Sequence, residues 1–326
     1  MDLVTRAAGM ALALLLGVIV TAAPAAAQPD LSRRIGHTVA DAGVPGWRWQ
    51  QFRVASADGQ RHYRVRVAVP EAPPPAAGFP VAYLLDGNAA LMETDAALLA
   101  RLATAPRPPV IAFIAHDNDL RIDADARAFD YTPRRPGGEE AQRDALGGRR
   151  NGGADAFLDL IERGIAPQVE AMAPTDRNRR ALWGHSYGGV FVLHALFARP
   201  DAFNVYAAAD PSLWWGDGQL LREESAAVEI AGPAPSLYLW TGEGGSAPTH
   251  APPPGRDPAA VVAMQRARGS VPADAAEHMA ARLCARGLDV HWMLLPGLSH
   301  GQTLGASLPL LLEALAGVAA AEGQVQ

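Results

Sequence analysis

The sequence predicts an α/β fold: a mostly parallel, doubly wound sheet with an antiparallel N-terminal hairpin. Three observations lead there. Short apolar runs recur at FPVAYLLDG (79–87), PPVIAFIAH (108–116), ALWG (181–184), VYAAAD (205–210), SLYLWTG (236–242) and DVHWMLLPG (289–297). Apolar runs without polar alternation suit strands buried on both faces. Helix-period patterns lie among them, over about 90–103, 154–172, 187–198, 257–286 (with a break near Gly269 to Pro272) and 303–320. Strand–helix alternation of this kind packs as a parallel sheet between two helix layers. Finally, Tyr63, Val65, Val67 and Val69 alternate with His62, Arg64, Arg66 and Ala68 after an Asp58-Gly59 turn, the pattern of a half-buried antiparallel hairpin.

Taken in order, the chain opens with one arginine, then an apolar run from about Ala11 to Val20, then small residues ending Ala25-Ala26-Ala27. The run is shorter than the ~20 residues a membrane span requires, and the small residues supply an A-x-A cleavage site. We therefore expect a secretory signal over 1–27, a periplasmic or secreted mature protein, and no membrane association after cleavage. The remaining 28–326 read as a single domain, with no internal repeat and no interdomain linker. With 49% hydrophobic residues the chain can bury a large core, and the one cysteine, Cys284, leaves no internal disulfide to supplement it. A net charge of −6 gives no reason to expect nucleic acid. All 28 basic residues are arginine, as in a compositionally biased genome. Two stretches resist the strand–helix alternation: 116–153, with little apolar periodicity, and the Pro/Gly-rich 241–257. A long irregular insertion in a compact domain is usually functional or disordered.

Between the strand at 181–184 and the helix at 187–198 stands Gly184-His185-Ser186-Tyr187-Gly188-Gly189. A serine nucleophile must stand clear of the backbone, and a sharp strand-to-helix turn achieves this while crowding its neighbours, which glycines relieve. This is the nucleophile elbow of the α/β-hydrolase fold, with Ser186 as nucleophile. In that arrangement the base comes last, after the final strand, and His300 follows the strand ending at Pro296-Gly297. The acid that orients the base should follow the strand 236–240, where Glu243 is the first candidate; Asp257 and Asp210 are alternatives, as is a Ser–His dyad with no acid. For the oxyanion, the N–H of Tyr187 and that of Asn88, after the strand at 79–84, are the expected donors. Asp86 is expected to cap the helix that begins around Ala89. His185 is expected to point away from the nucleophile, and His194 to be a packed or surface residue on the elbow helix.

At these residues the chain resembles a known family. VAYLLDGNA, RAFDYTP, GGADAFLDLI, ALWGHSYGG, AADPSLWW and LPGLSHG together are similar to the esterase-D-like α/β-hydrolases, and within them to the enterobactin-type siderophore esterases, over about residues 48–320. The resemblance implies a serine esterase cleaving carboxylic esters through an acyl-enzyme, without metal or organic cofactor. In the siderophore branch it implies hydrolysis of a catecholamide-bearing trilactone. It carries serine and histidine roles onto Ser186 and His300, and some secreted members are thought to use a dyad. The chain departs from the pattern at Asp210-Pro211-Ser212, where Ser-Pro-Ser is expected.

A small-molecule ester is thus the expected partner, and a catecholate siderophore the specific one. Arg127 and Tyr131 of RAFDYTP are expected to contact it, with Trp214 and Trp215 as an aromatic wall. Arg121, Arg134, Arg135, Arg143, Arg149 and Arg150 could hold an anionic, oxygen-rich ligand, or be solvated. The elbow and histidine serve equally a general, feruloyl or S-formylglutathione-type esterase or an acyltransferase. A non-catalytic siderophore-binding protein on the same scaffold is the remaining alternative.

Overall fold

The computed structural model describes residues 30, 32–144, 148–227, 234–243 and 258–318. The expected signal segment 1–27, Gly244, Gly245 and Asp257 lie outside the described residues.

Among the described residues eight strands form one sheet: β1 (Trp47–Ala55), β2 (His62–Pro70), β3 (Phe79–Leu84), β4 (Val110–His116), β5 (Thr175–His185), β6 (Val205–Ala209), β7 (Ser236–Gly242) and β8 (Asp289–Leu295). Their order is β1-β2-β4-β3-β5-β6-β7-β8. The pairs β1/β2 and β2/β4 are antiparallel and all others parallel. This is the expected α/β-hydrolase sheet with its edge hairpin. Side chains of β3 alternate between two cores: Val81 and Tyr83 face one, Ala82 and Leu84 the other. Both β3 and β4 are buried throughout, as their uninterrupted apolar runs require.

The helices are α1 (Val39–Ala42), α2 (Gly87–Met92), α3 (Ala96–Ala103), α4 (Ala124–Asp130), α5 (Ala154–Leu160), α6 (Ala166–Glu170), α7 (Tyr187–Ala198), α8 (Gln219–Ala226), α9 (Pro258–Arg268), α10 (Ala275–Ala285) and α11 (His300–Ala316). A single π turn, Ile161–Ile165, joins α5 to α6. Helices α5, α7 and α10 cover one face, with Phe157, Phe191 and Met279 in its core; α3 and α11 cover the other with Leu99, Leu308 and Leu311. Among the described residues no helix is long and apolar enough to cross a membrane.

Some boundaries depart from the sequence pattern for local reasons. The pattern at 90–103 is two helices, because the Asp95 carboxylate accepts the Leu98 N–H (2.7 Å) and starts α3 afresh. Strand β5 begins six residues before its apolar run, in the polar segment Thr175 to Arg180. The insertion 116–153 is less irregular than its sequence suggests: Asp123 caps α4 by accepting the Ala126 N–H (3.0 Å), and a 3₁₀ turn spans Glu139–Gln142. Two-turn helices such as α4 and α8 are too short to establish a period.

Candidate active site

The C-terminal ends of β3, β5 and β6 carry Asp86, Ser186 and Asp210, three of the four described non-glycine residues with left-handed φ (47°, 61° and 43°). Ser186 sits between strand and helix with ψ −114°, and its N–H donates to the Ala209 carbonyl at 3.0 Å. Two glycines permit this bend. A Cβ on Gly184 would lie 2.3 Å from the Gly188 carbonyl oxygen, and one on Gly189 2.9 Å from Pro211. Gly188 has only ordinary contacts at 3.7 Å or more, so the crowding falls on Gly184 and Gly189 instead. The result is a half-buried, reachable serine.

His300 is the first residue of α11. Ser299 and Gln302 form a reciprocal capping box that fixes where this helix starts. The imidazole Nε2 lies 3.1 Å from Ser186 Oγ, and Nδ1 lies 3.0 Å from Asp210 Oδ2. The acid facing the base is therefore Asp210, after β6, and not Glu243. The Glu243 carboxylate instead accepts the Gly297 N–H at 2.7 Å, bracing the loop that leads to His300. The acidic residue at the family's serine position is the signal in the sequence that bears on this.

Two further contacts were not legible in the sequence. Ser212 Oγ lies 3.2 Å from Ser186 Oγ. The His185 Nε2 lies 2.7 Å from the His300 carbonyl oxygen and 3.1 Å from Thr303 Oγ1, with its ring 4.7 Å from the His300 ring. Burial, then the neighbouring His300, holds the His185 imidazole well below the usual histidine range, so at pH 7 it is neutral and its Nε2–H is the donor. His185 points away from the nucleophile as expected, and toward the backbone of the base.

Asp86 stands at the N-cap position of α2, where its carbonyl accepts the Ala90 N–H at 3.1 Å, but it does not cap with its side chain as expected. Its side chain makes no capping bond, and Arg127 grips it: Nε is 3.1 Å from both carboxylate oxygens and Nη2 is 2.8 Å from Oδ2. The same Nη2 donates to the His185 carbonyl at 3.1 Å, joining the turn after β3 to the elbow after β5. Burial works against the Arg127 charge, but the Asp86 carboxylate raises its pKa above the ordinary arginine value. Arg127 is thus committed to the scaffold, contrary to the expected substrate contact. Tyr131 is likewise corrected: it is 1% exposed, and its hydroxyl accepts the Asp86 N–H at 3.0 Å. Trp215 is buried in the core, with the Arg135 guanidinium 5.7 Å from its ring centre. Only Trp214 of the expected pair is half-exposed, 6.1 Å from the ring of Tyr187.

The remaining insertion arginines also have local partners. Arg121 pairs with Glu93 (2.9 Å), Arg134 with Glu139 (2.9 Å) and Arg149 with Asp125 (2.7 Å). Arg135 donates to the carbonyls of Ala141 and Arg143, Arg143 to that of Gly148, and Arg150 lies over Phe129. The Asn88 side chain is occupied as well, donating to the carbonyls of Asn118 (3.0 Å) and Leu120 (2.8 Å). The backbone N–H groups of Asn88 and Tyr187 fall in the first turns of α2 and α7, where no carbonyl four residues back lies within the helix.

A hydroxyl, an imidazole and a carboxylate in hydrogen-bonded series are equipped for acyl transfer. Comparison with known proteins agrees. The Esterase family model matches residues 56–261, well over half of the chain. The apo-salmochelin esterase of Escherichia coli O6:H1 is 38% identical over 239 residues, 72% of this chain and 73% of that protein. The ferri-bacillibactin esterase BesA of Bacillus subtilis is 32% identical over 199 residues, 57% of this chain and 65% of that one. The structure of the enterobactin hydrolase IroE in complex with DFP superposes with a TM-score of 0.67 at 32% identity, covering 86% of this chain and 99% of the other. The chain belongs to the Esterase family, and is a carboxylic ester hydrolase of the α/β-hydrolase fold.

Proposed function

We propose that this chain is a serine esterase that opens the ester bonds of a siderophore, a trilactone carrying catecholamides, through an acyl-enzyme on Ser186. The observation that carries the reading is the unbroken series Ser186 Oγ–His300–Asp210, at 3.1 and 3.0 Å. An Asp210 carboxylate oxygen accepts from Nδ1–H, which leaves Nε2 as the acceptor for the serine proton. As Ser186 Oγ attacks the ester carbonyl, His300 takes that proton, and Asp210 stabilises the imidazolium. The N–H groups of Asn88 and Tyr187 receive the oxyanion; a donor of this kind is worth roughly 10²–10³ in rate. His300 then protonates the departing alkoxide, and a water activated by the same imidazole hydrolyses the acyl-enzyme.

The names of the relatives support the siderophore substrate: they are esterases of apo-salmochelin and ferri-bacillibactin and a hydrolase of enterobactin. Trp214, half-exposed against Tyr187, is the aromatic surface available to a catechol ring. The apolar run and A-x-A site within 1–27 support export to the periplasm or beyond the cell.

Ser186→Ala should lower turnover of a p-nitrophenyl ester by at least ~10³-fold while Tm shifts by no more than a few degrees. Unchanged turnover would remove Ser186 as nucleophile. A panel of trilactone siderophores, iron-loaded and free, beside simple esters, with products read by mass spectrometry, tests the substrate. Equal kcat/KM across the panel would mark a general esterase.

A further inference from the structure

The segment after β6 touches both ends of the Ser186–His300 pair. Asp210 faces His300 Nδ1, and two residues later Ser212 Oγ lies 3.2 Å from Ser186 Oγ, its own N–H donating to the Ser186 carbonyl at 3.2 Å. Ser212 is 2% exposed, so its hydroxyl is shielded from solvent. Proton order along the series is dictated by its end. A carboxylate oxygen of Asp210 accepts, so Nδ1 carries hydrogen, Nε2 accepts, and the Ser186 proton points to His300. The Ser186 oxygen can then only accept from Ser212.

We propose that Ser212 is a catalytic residue whose hydroxyl, donating to Ser186 Oγ, assists the departure of that oxygen when the acyl-enzyme breaks down. The inference rests on the acyl-enzyme reading above. In deacylation, a water oxygen bonds to the acyl carbonyl carbon and its proton passes to His300 Nε2. The tetrahedral intermediate then collapses: the carbon–Oγ bond breaks, its electron pair moves to Oγ, and Oγ takes the proton back from Nε2. Ser212 transfers no proton. It stabilises charge building on the leaving oxygen, as a positioned donor does at any developing alkoxide. The same bond draws electron density from Oγ while it is a nucleophile, so its loss affects the two half-reactions differently. Uniform damage to the fold would not separate them.

Ser212→Ala should lower kcat for p-nitrophenyl acetate about 10-fold and produce a pre-steady-state burst of p-nitrophenol approaching one equivalent per active site. The rate of inactivation by a fluorophosphonate, which reports attack by Oγ alone, should stay within about 3-fold of the parent. Ser212→Cys, nearly isosteric with a weak donor, should fall between the two, and carries the test if the alanine variant does not fold. A parallel fall in kcat and inactivation rate without a burst, or no fall in kcat, overturns the role of Ser212. Ser186→Ala, assayed alongside, separates the two failures: if it keeps turning over substrate, the acyl-enzyme reading itself is wrong.

Discussion

Asp86, Ser186 and Asp210 each hold a backbone conformation that costs an ordinary L-residue about 1–3 kcal/mol. Each follows a buried parallel strand, where the chain must turn sharply to present a side chain at the C-terminal end of the sheet. The cost is sustained by surrounding bonds: Ser186 N–H to Ala209, Asp210 N–H to the Trp240 carbonyl (2.7 Å), and Asp86 N–H to Tyr131 (3.0 Å). Asp210 and Glu243 give the sharpest contrast at this scale. Asp210→Asn preserves the shape but offers an amide where Nδ1–H needs an acceptor, which favours the wrong tautomer of His300. Its kcat should fall ~10²–10⁴-fold. Glu243→Gln should leave kcat within about 2-fold, because the amide oxygen still accepts the Gly297 N–H. Steady-state assays of both on one ester decide; a reversed ranking would return the acid to the position after β7.

At the scale of elements, two side chains tie together parts that the sheet alone does not align. Arg127, on α4, bolts the turn after β3 to the elbow after β5. Arg127→Ala leaves the Asp86 carboxylate, 5% exposed as a residue, buried without its cation, a loss of roughly 3–5 kcal/mol. Urea unfolding should show that loss, and activity should drop alike on neutral and anionic esters. A selective defect on the anionic ester would restore Arg127 as a substrate contact. His185 joins the end of β5 to the first residue of α11, so the residue before the nucleophile holds the backbone of the base. These links explain why the insertion 116–153 was only partly legible. Its arginines look like a ligand-binding crown in sequence, yet long side chains find partners through folding, and pairing is not encoded in residue type.

Across the whole molecule, His194 braces three helices from the buried side of α7. Its Nδ1 lies 2.8 Å from Glu223 on α8 and its Nε2 3.2 Å from Asp155 on α5. Burial opposes the charge, but hydrogen bonds to Asp155 and Glu223 push the imidazole up from about 6.5 to about 9. The folded state therefore binds this proton more tightly than the unfolded chain. The stabilisation is complete below about pH 6.5 and is lost as pH rises through about 9, amounting to roughly 3 kcal/mol. Tm should fall between pH 7 and 10, and His194→Gln should flatten that slope; an unchanged slope would place the alkaline loss elsewhere. The elbow helix that presents Ser186 is thus held by a charge its sequence does not advertise. Strand runs, their alternation with helices, the elbow glycines and a histidine after the last strand were legible from residue order, because periodicity and tight turns act over a few neighbouring residues. The choice of Asp210 over Glu243 as the partner of His300, 90 positions away, was decided only by folding, and the commitment of Arg127 and Tyr131 to the scaffold and the approach of Ser212 to Ser186 emerged only there. Hydrogen bonds between side chains depend on where separate strands end in space, and no local pattern carries that distance.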